Sequence, residues 1–308
     1  MERRRIGGED GFDVPVVGLG CNAFGRRIDE QATRAVIHAA LDAGVTFFDT
    51  AEAYGGGLSE EFIGRAIAGR RNEVILATKF GLNTSHIRGK GPGSRDNAFA
   101  AVDRSLRKLR TDRIDLYQLH RPDPATPVGE TLGALNDLAK AGKIRLFGCS
   151  NFSAAQWREA LDVARREELR CFVTAQDEWN VLERGIEGDI VPLCAKNGIG
   201  ILPYYPLAQG LLTGKYRRGE TPPAGSRLAG RGTPAHADFA MLEKLEAFAT
   251  RRDFDLLTLA VSWLASQPVT ASVIAGATRP EQLPANAAAA RWEMTAEDFA
   301  AIDAIVGR

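Results

Sequence analysis

The chain has 308 residues, with 39 Lys and Arg against 39 Asp and Glu, so its formal net charge at pH 7 is zero. With no basic excess, nucleic acid and anionic membranes are not expected partners, and no apolar run is long enough to cross a bilayer. A hydrophobic content of 44% supplies ample core, and a chain of about 300 residues is either two domains or one α/β barrel.

RRRIGGEDGFDV (3–14) predicts a small hairpin; no long apolar core follows its arginines, so it does not read as an export signal. Short apolar runs then alternate with amphipathic segments. The strand runs are 16–20, 46–50, 74–80, 115–120, 144–150, 173–179, 200–206 and 271–277. Between them lie helical patterns such as 29–44, 94–109 and 153–166, which open on an Asp or Ser suited to an N-cap. Continuous apolar strands alternating with helices predict a parallel sheet covered on its outside. Eight such repeats predict a (β/α)₈ barrel spanning residues 1–308 as one domain. The 32-residue stretch 207–238, rich in Gly, Pro and Arg, is too long for an ordinary βα loop and reads as a lid after the seventh strand. TAEDFAAIDAIV (295–306) predicts an extra C-terminal helix with a Thr N-cap.

GLGCNA (18–23) matches a glycine-rich dinucleotide pattern, but AFGRRIDE intervenes before any helix starts. The nearest strand-end acid, Asp49, also lies too far along for the ribose-binding position. Gly18 and Gly20 are therefore read as a tight strand end. Cys21, Cys149, Cys171 and Cys194 lack paired spacing and read as reduced thiols of a cytoplasmic protein. His38, His86 and His236 are read as structural or solvated.

Barrels collect their chemistry at the C-terminal ends of the strands. There the sequence places Asp49, then Tyr54 in the following loop, Lys79 and His120. Asp49 and Lys79 on adjacent strands can pair, which offsets the penalty of burying either alone. A nearby ammonium favours phenolate, so Tyr54 is expected to be a stronger acid than free tyrosine. His120 can orient whatever oxygen Tyr54 protonates. A proton donor, a charge that tunes it and an orienting imidazole suit a carbonyl oxygen turning into an alkoxide.

DTAEAYG (49–55), ATKF (77–80), LHRPDP (119–124), FGCSNFS (147–153), YYPLAQGLLTGKY (204–216) and VIAGATRPEQL (273–283) together resemble the aldo-keto reductase family over essentially the whole chain. The resemblance implies a catalytic tetrad of Asp49, Tyr54, Lys79 and His120. It also implies NADPH, with NADH as the second choice, lying across the barrel mouth. Ser150, Asn151 and Gln176 would hold the carboxamide, and Tyr204 would stack on the nicotinamide ring. Leu207, Gln209 and Gly210 would approach the pyrophosphate beneath Arg227. Thr278, Arg279, Gln282 and Asn286 would receive the adenosine end, with Arg279 meeting a 2′-phosphate. Tyr205 stands where relatives usually carry serine, Trp179 where tyrosine is common, and Gly276–Ala277 where some branches carry a basic-plus-hydroxyl pair. Phe24, Phe80 and Trp179 are expected to wall the pocket for a small carbonyl compound or sugar. Two other readings are a cofactor-binding regulatory subunit, as in potassium channels, and a Schiff-base aldolase using Lys79. No apolar stripe in the sequence sets an oligomeric state.

Overall fold

The computed structural model describes residues 1–82, 87, 89–230, 232 and 237–308; His86 and His236 lie outside the described residues. Strands β1 (Arg3–Ile6) and β2 (Phe12–Pro15) form the expected antiparallel hairpin. Its apolar side chains Ile6, Phe12 and Val14 are buried against Phe47, Leu116, Leu146 and Leu202, so the hairpin plugs the barrel floor.

Eight parallel strands follow: β3 (Val17–Gly20), β4 (Phe47–Asp49), β5 (Ile75–Phe80), β6 (Ile114–Leu119), β7 (Ile144–Ser150), β8 (Thr174–Gln176), β9 (Gly200–Ile201) and β10 (Val273–Gly276). They pair in chain order, and β10 pairs β3. A parallel bridge between Ile201 and Thr270 joins β9 to the approach of β10 and closes a (β/α)₈ barrel. The amides of Ile201 and Ala271 donate to Val269 and Ile201 carbonyls at 2.7 and 2.8 Å across that seam. The last two strand runs before the seam are shorter than the sequence predicts. Pro203 has no N–H to donate, and Tyr204 retains only an isolated bridge to Glu178.

Helices α1 (Glu30–Asp42), α2 (Leu58–Ala66), α3 (Arg95–Leu109), α4 (Val128–Lys140), α5 (Ala154–Arg166) and α6 (Ile190–Asn197) each follow one of β3 to β8. The connection after β9 carries two helices, α7 (Phe239–Thr250) and α8 (Leu256–Ala265), and β10 is followed by α9 (Gln282–Ala288) and the terminal α10 (Ala296–Val306). Asp29, Ser94, Ser153 and Thr295 cap their helices through side-chain oxygens, with reciprocal capping boxes at Ser153/Gln156 and Thr295/Asp298.

Near the starts of the strands, Asp115 on β6 accepts from Arg71 at 2.8 Å, Arg145 at 3.1 Å and the Leu76 amide at 2.9 Å. It is 3% exposed, so these donors replace water. Asp115→Ala leaves Arg71 largely enclosed without its partner. The expected loss is about 2–3 kcal/mol, less than the roughly 3–5 kcal/mol of a fully enclosed pair because Arg145 is half exposed. A denaturant midpoint unchanged at constant slope would contradict it.

Candidate active site

A buried ion pair lies at the barrel's C-terminal mouth. Asp49 ends β4 and Lys79 lies near the end of the neighbouring β5. The Lys79 Nζ donates to Asp49 Oδ2 at 2.7 Å and to the Thr50 carbonyl at 2.9 Å, with no side-chain exposure on the lysine. The other carboxylate oxygen, Oδ1, accepts from Gln118 at 3.2 Å and Gln176 at 3.0 Å. Burial acts to lower the Lys79 ammonium, but Asp49 and Tyr54 outweigh it, and the net direction is upward. The lysine is thus held charged. Gln118 was not singled out from the sequence; the signal was an amide side chain near the C-terminal end of a fully buried strand.

Tyr54 is delivered by the turn Tyr54–Gly57, where three successive glycines have positive φ. At Gly55 (φ 59°) a Cβ would lie 2.6 Å from the Phe24 carbonyl oxygen, so the turn needs glycine both for its backbone conformation and for space. Glu52 fastens the same loop to β5. Its amide donates to the Lys79 carbonyl at 3.0 Å, its Oε1 accepts from the Gly81 amide at 3.3 Å, and its Oε2 meets Arg104 at 3.3 Å. The result is a Tyr54 hydroxyl 3.4 Å from Lys79 Nζ, with its ring edge-on to His120 at 5.8 Å.

The expected acid strength of Tyr54 is corrected by the structure. Burial raises the phenol, Lys79 lowers it, Asp49 raises it, and the net direction is upward because desolvation is the largest effect. Tyr54 therefore carries its proton at neutral pH. His120 is fixed through its backbone, its amide donating to Phe80 and its carbonyl accepting from Asn151 Nδ2 at 3.1 Å. Its Nδ1 is buried with no hydrogen-bond partner among the described residues. Burial first, then Lys79 and Arg121, push the imidazole down to about 3, so it is neutral.

Ser150, Asn151, Gln176 and Tyr204 form one hydrogen-bonded chain. Ser150 Oγ donates to the Gln176 carbonyl at 2.7 Å and accepts from Asn151 Nδ2 at 2.9 Å; Tyr204 donates to Asn151 Oδ1 at 3.0 Å. These residues, Asp49, Tyr54 and His120 border a cleft of about 800 Å³. It runs past Leu207, Gln209, Gly210 and Arg227 to Thr278, Arg279, Gln282 and Asn286. Gln282 Oε1 accepts from the Thr278 and Arg279 amides and braces that turn. Left-handed backbone at Tyr205, Ala208 and Gln209 marks a constrained loop along one wall. The long connection folds over the cleft: the Gly225 carbonyl accepts from Arg27 at 3.0 Å, and Arg227 stacks on Tyr205 at 4.7 Å.

Phe24, Phe80 and Trp179 do not wall this cleft. Phe24 is fully buried, Phe80 stacks on Tyr117, and Trp179 packs on Trp263 while its Nε1 donates to Glu187 at 2.9 Å. Their apolar surface is worth more in the core than at a wet mouth. Asn22, Arg26, Arg27, Arg121, Glu178 and Tyr205 border the cleft instead.

The cleft fits a polyanionic dinucleotide. Lys215 borders it, and its ammonium is pushed down by burial, partly opposed by Tyr216, and further by the charges of Arg27, Arg279 and Arg227, a concentration of cations that a phosphate-bearing ligand would relieve. Asn286 lies buried along the same wall, with no side-chain hydrogen bond among the described residues.

The barrel mouth thus holds a lysine–aspartate pair beside a tyrosine hydroxyl and a neutral histidine. The family model described as "Aldo/keto reductase family" matches residues 16–306, and the chain belongs to that family. Aldo-keto reductase YhdN of Bacillus subtilis is 36% identical, covering 97% of this chain and 92% of its own length. A probable voltage-gated potassium channel subunit beta of Oryza sativa is 35% identical, covering 91% of this chain and 88% of its own. Among solved structures, the holo form of aldo-keto reductase AKR11C1 from Bacillus halodurans superposes with TM-score 0.83 at 31% identity, covering 99% of this chain and 96% of that one. A Klebsiella pneumoniae aldo/keto reductase in complex with NADP and acetate gives 0.75 at 29% identity, covering 96% and 92%.

With a folded value of about 3 against about 6.5 unfolded, His120 adds stability that is full above pH 6.5 and is lost as pH falls toward 3. Its imidazole NMR signal, assigned with His120→Gln, should therefore not shift between pH 8 and 5. A midpoint between 6 and 7 would contradict the burial argument.

Proposed function

We propose that the protein reduces an aldehyde or ketone to an alcohol, reversibly, with NADPH as the preferred cofactor. The observation that carries this is the Tyr54 hydroxyl held 3.4 Å from a buried, charged lysine and facing the cleft beside His120. Tyr54 donates its phenolic proton to the carbonyl oxygen. Lys79 stabilises the phenolate that remains, and Asp49 keeps Lys79 charged. Neutral His120 offers a hydrogen bond to the same oxygen without competing as an acid. The bound cofactor supplies the hydride.

Ser150, Asn151 and Gln176 would hold the nicotinamide carboxamide, and Tyr204 would lie against its ring. Gln176 also braces Asp49, which couples the proton site to the cofactor site. The backbone of Leu207, Gln209 and Gly210, with Arg227 above, would take the pyrophosphate. Thr278, Arg279 and Asn286 would receive the adenosine end on the turn that Gln282 holds. The cations gathered there favour a 2′-phosphate and hence NADPH over NADH. Residues 1–308 act as one barrel unit. The four unpaired thiols accord with a cytoplasmic setting, and no described helix is long and apolar enough to cross a membrane.

A charged Lys79 speaks against Schiff-base chemistry, which needs a neutral amine. Borohydride should trap no carbonyl adduct. Tyr54→Phe is expected to keep cofactor affinity, read by fluorescence titration, and to lose about 10²- to 10⁴-fold in kcat for aldehyde reduction, read by NADPH absorbance. A wild type that binds cofactor yet is as inert as the variant would replace this reading with that of a regulatory subunit.

A further inference from the structure

The cleft carries more positive charge than the cofactor site accounts for. Six cations border it: Arg26, Arg27, Arg121, Lys215, Arg227 and Arg279. Two carboxylates do so. Asp49 is paired with Lys79 at 2.7 Å, and burial and Glu183 raise the Glu178 carboxyl, with Arg227 a smaller opposing influence. Lys215 feels the charges of Arg27, Arg279 and Arg227, which groups these four, with Lys215 and Arg227 on the lid, Arg279 before α9 and Arg27 before α1. Arg26 and Arg121 remain outside this group.

Arg121 directly follows His120, is exposed, and has no ion pair or side-chain hydrogen bond among the described residues. Its charge is felt by both the His120 imidazole and the Tyr204 hydroxyl, which places it at the reacting end of the cleft. Arg26 is likewise exposed and without an ion pair among the described residues. It follows Gly25, whose backbone packs on the Gly55 turn that delivers Tyr54. The aromatic side chains that could have favoured an apolar substrate are in the core instead.

We infer that the substrate is a small carbonyl compound bearing a carboxylate or phosphate group, which Arg121, flanked by Arg26, binds beside Tyr54 and His120. This rests on the reductase reading above. Arginine suits both anions because its planar donors match either group. An anion held there places the carbonyl at the proton donor and leaves the apolar remainder of the substrate small.

The test compares kcat/KM for matched pairs with NADPH: glyceraldehyde against glyceraldehyde 3-phosphate, and benzaldehyde against 4-carboxybenzaldehyde. At least one anion should be preferred over its neutral partner by about tenfold or more, and which pair shows the larger ratio separates phosphate from carboxylate. Arg121→Gln should bring the ratio close to one through KM of the anion, and Arg121→Lys should keep part of it. Arg279→Gln should weaken both members alike through the cofactor and leave the ratio intact. Neutral and anionic aldehydes turned over equally by wild type, or both lowered equally by Arg121→Gln, would overturn the inference while the reductase reading stands. No reduction of any aldehyde, with cofactor bound, would sink both.

Discussion

A lysine with no solvent exposure remains charged in this barrel chiefly because a carboxylate lies 2.7 Å away. Each ion alone would lose several kcal/mol on leaving water. The protein meets that by sharing one carboxylate among three donors from three different strands: Lys79 on β5, Gln118 on β6 and Gln176 on β8. The pair therefore depends on the barrel being closed, since β4 and β8 are not neighbours in the sheet. The Lys79 ammonium of the pair also lies 3.4 Å from the Tyr54 hydroxyl.

From that anchor the mouth divides into two electrostatic regions. Near the anchor, burial dominates: it raises the Tyr54 phenol, keeps His120 neutral and leaves Nδ1 unpartnered among the described residues. A neutral imidazole and a protonated phenol beside a fixed ammonium are consistent with proton donation and not with nucleophilic attack. Farther out, cations on the lid and the α9 turn outnumber carboxylates, and their mutual repulsion is a standing free-energy cost that anionic ligands would remove. The lid is held from both sides, by Arg27 at Gly225 and by Tyr205 at Arg227. The Arg217–Glu246 and Arg218–Glu243 ion pairs tie its base to α7.

Much of this was legible in the residues. The alternation of apolar runs with capped amphipathic segments gave the barrel, because a parallel strand buried on both faces has no polar alternation to hide it. The convergence of Asp49, Tyr54, Lys79 and His120 followed from their places at or just beyond strand ends. Less visible were the supports. Glu52 and Gln118 read as ordinary polar residues until their partners, distant in sequence, are brought beside them. Phe24, Phe80 and Trp179 were misplaced for the converse reason: an aromatic residue near a strand end can turn inward to the core or outward to the mouth, and sequence spacing does not choose.

The sequence by itself determined the alternation of strands and helices, the helix starts at Asp29, Ser94, Ser153 and Thr295, the glycine turn after Asp49 and the family. Those depend on local periodicity, capping chemistry and positive-φ backbone, each set within a few residues. Only the tertiary structure decided the direction of the Tyr54 shift, the neutrality of His120, the polar lining of the mouth and the isolation of Arg121 from any ion pair among the described residues. Desolvation and charge pairing depend on neighbours from other strands, and those neighbours exist only once the barrel has closed.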